Sequence, residues 1–166
     1  MKIKVKDKNK TKKVLNQIRE LNRKTATVGY HNNDEIAMIA GVQEFGARIK
    51  VTDKMRDYLA ATGMPLKDST TEIVIPERSF LRTGATLAEE DVQKLAEKYF
   101  VDAITGGMSA EEFLEFLGEE LKRVIQENAE DVNKPENHPY TVEMKGNSDE
   151  LEDTGKMLKS IEVKVK

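Results

Sequence analysis

Hydrophobic and polar positions change period several times along the chain, and each change marks an element. In KIKVK, Ile3 and Val5 alternate with Lys2, Lys4 and Lys6, the period of two expected of a strand with one lysine-rich face. From Lys8 to Lys24 the apolar residues Val14, Leu15, Ile18 and Leu21 recur at helical spacing on an otherwise basic helix. Such a stripe must pack on something, and the sheet is the expected surface. TATVGY alternates again, with Ala26, Val28 and Tyr30 on one face. The polar HNND after it reads as a turn that caps a helix at Asn33 or Asp34, and that helix runs over Glu35 to Glu44.

EFGAR breaks this helix, because Gly46 takes a backbone conformation that a bulky residue adopts only at a cost. Phe45 is thereby presented at a fixed corner. Thr52 opens a short helix through TDKMRDYLAA, ended by Gly63 and Pro65, and TTEIVI reads as a strand stopped by Pro76. Residues 52–72 thus form an excursion between two halves of one domain. Beyond PERSFLR a helical pattern runs from about Thr86 to Ile104, with Leu87, Val92, Leu95, Ala96 and Tyr99 inward, until Gly106 and Gly107 stop it. Ser109 with Glu112 is a capping box for a strongly amphipathic helix reaching about Glu130.

Residues 133–152 are rich in Pro, Asn, Asp, Gly and Ser and read as a loop, longer than compact domains usually carry unless it binds something. LEDTGKMLKS then makes a turn into a short helix, and in IEVKVK the residues Ile161, Val163 and Val165 alternate with charge as the first strand does. The two ends are therefore expected in one small, mostly antiparallel sheet packed against several amphipathic helices. That is an α+β fold, a single domain over residues 1–166.

Composition narrows the chemistry. The 166 residues are 38% hydrophobic and 34% charged, with no Trp and no Cys. Disulfide frameworks, cysteine zinc sites and thiol nucleophiles are excluded. No apolar run reaches the ~18 residues of a membrane span, and no apolar stretch follows the basic start, so neither membrane insertion nor a standard secretion signal is expected. Net charge is only −3 but unevenly spread. Residues 1–24 carry ten Lys/Arg against Asp7 and Glu20, while residues 89–131 carry thirteen Asp/Glu against Lys94, Lys98, Lys122 and Arg123. The contrast reads as complementary surfaces between subunits, as a basic arm facing nucleic acid, or as two solvated faces.

Catalytic constellations are scarce. His31 and His138 lie far apart with no ligand partners at metal-site spacing, no phosphate-binding glycine loop occurs, and Asp149 with Asp153 is a weak divalent-ion pair in a loop that does not fix its geometry. The expected catalytic, cofactor and metal sites are accordingly none. What stands out is a set of turn formers joined to anchors. In IPERSFLR, Pro76 ends a strand, Phe80 and Leu81 insert into a core, and Arg78 and Arg82, four apart, share a face if the segment is helical. Guanidinium groups so placed suit carboxylates.

The ordered pieces VQEFG, VTDKMRDYLAATG, IPERSFLR, NHPYT and DTGKMLKSI span nearly the whole chain, which resembles the tail-completion proteins of tailed bacteriophages, also called phage virion morphogenesis proteins. The resemblance implies a non-enzymatic virion subunit, assembled in the bacterial host cytoplasm. It would form a ring with copies of itself, a hexamer, at the head-proximal end of the tail. Its other partners would be the tail tube, the neck or head-closure proteins and the sheath, with nucleic acid at most passing through the ring. It also implies that Glu44, Phe45, Gly46, Pro76, Arg78, Phe80, Leu81, Arg82, Asp153, Thr154 and Gly155 set the fold and the ring contacts. The 52–72 excursion is of the longer kind in that group. The alternative expectation is a nucleic-acid-binding module using the basic N-terminal strand and helix.

Overall fold

A computed structural model describes residues 10–32, 34–132, 134–146, 151 and 155–166. The expected strand over residues 2–6 lies outside them. The chain order is α1 (Thr11–Arg23), β1 (Ala26–Gly29), α2 (Asp34–Phe45), β2 (Ala47–Lys50), α3 (Asp53–Ala61), β3 (Glu72–Ile75), α4 (Phe80–Thr105), α5 (Ala110–Asp131), α6 (Pro139–Lys145), α7 (Lys156–Lys159) and β4 (Glu162–Val165). The fold is α+β, helix-rich with small antiparallel sheets packed on helices.

The long helices α4 and α5 pack on each other as a hairpin and form the spine. Gly106, with φ 81°, ends α4, and the Ser109–Glu112 capping box starts α5 as its spacing predicts. Gly84 of α4 lies against Ile125 of α5 so closely that an added Cβ would come within 2.7 Å of the Ile125 Cα. The other side of α5 carries the sheet of β1 and β4, where Gly118 leaves room for Val163. The core groups Ala40, Phe80, Ile125, Ala129, Leu158 and Ile161, so α2, the start of α4, the end of α5 and the C-terminal segment share one apolar centre.

The C-terminal strand pairs antiparallel with β1, Ala26 opposite Val165 and Gly29 opposite Glu162. A second, separate ribbon pairs β2 with β3, Ala47 opposite Ile75 and Lys50 opposite Glu72. The described strands therefore make two two-stranded sheets rather than one. The stripe on α1 packs on α4 and α5, not on the sheet, and Leu15 stays 47% exposed. That position sets a basic helix on the two acidic ones, with Lys24 Nζ 2.9 Å from Glu111 Oε2, so part of the charge contrast along the chain is met inside the fold.

Other expectations are corrected. α4 begins at Phe80, two turns before Thr86, and Leu87 is 59% exposed instead of inward. The loop expected over 133–152 contains α6, whose first residue Pro139 needs no backbone donor there and whose end is marked by Gly146 at φ 74°. The excursion expected over 52–72 is wider, an arm of β2, α3 and β3 over residues 47–75. Its interior is local: Thr52 caps α3 by accepting from the Met55 N–H, and the Arg56 guanidinium donates to the carbonyls of Leu66, Lys67 and Thr70. The ribbon strands make their close contacts with each other rather than with the helical spine.

Candidate functional site

The arm leaves the body through a narrow neck, with residues 43–46 on one side and 76–82 on the other. The entering chain leaves α2 at Phe45 and turns at Gly46, whose φ is 69°. An added Cβ there would meet the Ile75 carbonyl at 2.8 Å and the Glu77 nitrogen at 2.9 Å. Gly46 is thus required twice, for a left-handed backbone and for the close approach of the returning strand. Pro76 ends β3, and the Arg78 N–H donates to the Gln43 carbonyl at 2.7 Å, closing the neck.

Glu44 is the centre of this arrangement. It is 1% exposed, yet its carboxylate accepts from the Leu81 N–H at 2.8 Å, the Arg82 N–H at 3.2 Å, the Ser79 hydroxyl at 3.0 Å and Arg82 Nε at 2.8 Å. Leu81 and Arg82 supply amides from the first turn of α4, which contains no acid of its own. Glu44 therefore caps α4 from another helix and places a negative charge at its positive end. Ser79, which precedes α4, makes no capping bond with its own helix and turns its hydroxyl to Glu44 instead. Burial alone would raise the Glu44 pKa, but the hydrogen bonds from Arg82, Leu81 and Ser79 outweigh it and hold the carboxyl below the usual range.

Arg82 spans three partners. Besides Glu44 it donates to Glu77 Oε1 at 2.5 Å, and its guanidinium carbon lies 4.8 Å from the centre of the Phe45 ring. Phe45 is itself 65% exposed. Its arginine neighbour makes an apolar corner with a charged roof.

Arg78 does different work. It is not on a helical face with Arg82, because it precedes α4, and it is 5% exposed. Nε and Nη2 donate to the Pro135 carbonyl at 3.0 and 2.7 Å, Nη2 to Asn137 Oδ1 at 3.2 Å and Nη1 to Gln43 Oε1 at 3.2 Å. The expectation of a carboxylate partner holds for Arg82, and Arg78 donates to the carbonyl and amide oxygens just named. Its fork ties the start of the 134–146 segment to the neck.

No protein-family model, curated protein or solved structure matches this chain.

Of the residues singled out in the sequence, Glu44, Phe45, Gly46, Pro76, Arg78, Phe80, Leu81 and Arg82 meet at the neck. Phe80 is fully buried beneath it, and its carbonyl accepts from Asn128 of α5 at 2.9 Å. Gly155 does not join them. It has φ 68° at the start of α7 and lines a separate surface cleft with Gln126, Glu130 and Lys159. Asp153 and Thr154 lie outside the described residues. Sequence reasoning missed Gln43, Glu77, Ser79, Pro135 and Asn137 as participants. Only Ser79, a hydroxyl residue just before a helix, carried a local signal, and it points to a cap the residue does not make. Tyr30, close to Glu44, has its hydroxyl buried with no hydrogen-bond partner among the described residues, and burial together with that carboxylate raises its pKa. Among the described residues no cluster of three His, Asp or Glu side chains is placed to hold a metal ion.

Proposed function

We propose that this chain is a tail-completion subunit of a tailed bacteriophage, forming a ring at the head-proximal end of the tail and joining it to the neck. The observation that carries the reading is that EFG and IPERSFLR, two of the ordered motifs behind the resemblance, form one mechanical unit through Glu44. Those residue types are thereby required together for a structural reason, the fixing of a projecting arm, and such rigidity suits an assembly part.

The experiment is deletion of the coding sequence from a phage or prophage genome that carries it, followed by electron microscopy of the lysate. Separate full heads and unjoined tails are expected, restored by the gene in trans. Normal joined particles without the gene would end the reading.

The nucleic-acid reading draws less support, because α1 packs on acidic helices and Lys24 is engaged by Glu111. It requires duplex-DNA affinity that falls steeply with salt, which a titration between 50 and 200 mM salt would reveal.

A further inference from the structure

The β2–β3 ribbon has two different edges. The Val51 N–H donates to the Thr71 carbonyl at 2.9 Å, one step beyond the ladder that pairs Lys50 with Glu72 and Ile49 with Ile73. In an antiparallel pair hydrogen-bonded and non-hydrogen-bonded positions alternate. The Ile49–Ile73 and Ala47–Ile75 pairs are therefore bonded inward, and Arg48, Lys50, Glu72 and Val74 turn their backbone N–H and C=O groups outward. Among the described residues no other strand pairs with either edge.

The side chains of the same four residues share one face of the ribbon. Arg48 and Lys50 on β2 and Glu72 and Val74 on β3 are all exposed, Val74 at 55%. Arg48 and Glu72 already pair across the ribbon, Nη1 to Oε2 at 3.5 Å with both side chains exposed, and Lys50 is the cation of β2 with no ion pair among the described residues. A ribbon of two strands is marginal by itself, and this one makes its main contacts between its own strands.

We propose that the ribbon is a self-association edge, in which β2 of one copy pairs antiparallel with β3 of the next. Residues whose backbone groups point outward then meet each other, Lys50 opposite Glu72 of the neighbouring copy and Arg48 opposite Val74. Lysine and arginine on a strand edge oppose pairing with another basic edge. Lys50 favours the edge that carries Glu72, an exposed carboxylate with room for a second cation beside Arg48. The charge pattern therefore disfavours a symmetric β2–β2 contact and favours a head-to-tail one, and head-to-tail contacts close into rings or run on as filaments. The inference deepens the ring reading and rests on it for closure.

Two measurements on the full chain test it. Val74→Pro removes an outward N–H and leaves the inner ladder intact, since proline is tolerated where an edge strand faces solvent. Light scattering of the variant should report monomer at concentrations where the native chain associates, with an unchanged circular dichroism spectrum. Association as in the native chain would overturn the proposal, as would a native chain that stays monomeric throughout.

The second uses the absence of cysteine from the chain. Arg48→Cys and Val74→Cys chains, one carrying a size tag, are oxidised singly and mixed. A disulfide-linked heterodimer in the mixture, well above the homodimer of either chain alone, is expected. Equal yields in the single and mixed samples, or no cross-link from chains that associate, would overturn the edge pairing. In the last case association runs through another face and the ring reading survives. Edge pairing in a chain whose deletion leaves virions joined would instead sink the phage reading alone.

Discussion

Glu44 Oε1 lies 2.8 Å from Arg82 Nε, but the two side chains stand in different media, the carboxylate 2% exposed and the guanidinium 54%. The pair is a surface cation reaching down to a buried anion that also receives three further donors. The weight of the interaction therefore falls on Glu44. Removing it leaves two helix amides and a hydroxyl without their acceptor.

Glu44→Ala should cost about 3 kcal/mol of unfolding free energy, the range for deleting one partner of a buried, hydrogen-bonded charge. Glu44→Gln, which keeps one acceptor oxygen, should lose roughly half of that. Urea denaturation at neutral pH checks both. A loss from Glu44→Ala within that of an ordinary surface change would mean that solvent replaces the carboxylate freely.

The same carboxylate predicts an acid dependence. Its pKa is depressed in the folded chain, so it stays ionised to lower pH than in the unfolded chain, where glutamate titrates near ~4.3. Its contribution is complete above that ordinary value and is lost as pH falls through the folded-state value. Glu90, Glu112 and Glu120 are shifted the same way, so the difference between native chain and Glu44→Gln isolates the site. Their urea midpoints should converge between pH 5 and strongly acid solution. A gap that stays constant would assign the effect to shape rather than charge.

Gly46→Ala meets both a left-handed backbone at φ 69° and a carbonyl 2.8 Å from the new Cβ. The backbone alone costs about 1–2 kcal/mol, and the contact adds to it, because the neck must widen. Thermal unfolding should fall accordingly, and amides of β2 and β3 should exchange faster than those of α5. Unchanged exchange in the ribbon would show that the arm does not depend on the closed neck.

Arg78→Lys keeps the charge and loses the fork. Lysine cannot reach the Pro135 carbonyl, Asn137 and Gln43 together as the guanidinium does. The 134–146 segment should become the first site of limited proteolysis, with α4 and α5 still protected. Native-like resistance of that segment would mean that other contacts hold it.

Elements written by local spacing were legible in the chain itself. Thr52 capping α3, the Ser109–Glu112 box on α5, the break at Gly46 and the alternation of Ala26, Val28 and Tyr30 all depend on neighbours within four residues or on a period of two. The short α6 was also legible, through Pro139 at its first position, but the surrounding turn formers outweighed that signal.

By itself, then, the sequence determined most of the helices, the strands β1, β3 and β4 and the turn formers of the neck, Gly46 and Pro76. Only the tertiary structure decided which anchor serves which element. α4 starts at Phe80 because a carboxylate 37 residues earlier caps Leu81, and no local pattern encodes an acceptor at that distance. α1 settled on the acidic helices, Leu87 turned outward and the ribbon stood away from the spine for the same reason. A stripe or an alternation states that a face needs cover, while the packing of the whole chain supplies the cover or leaves it to another molecule.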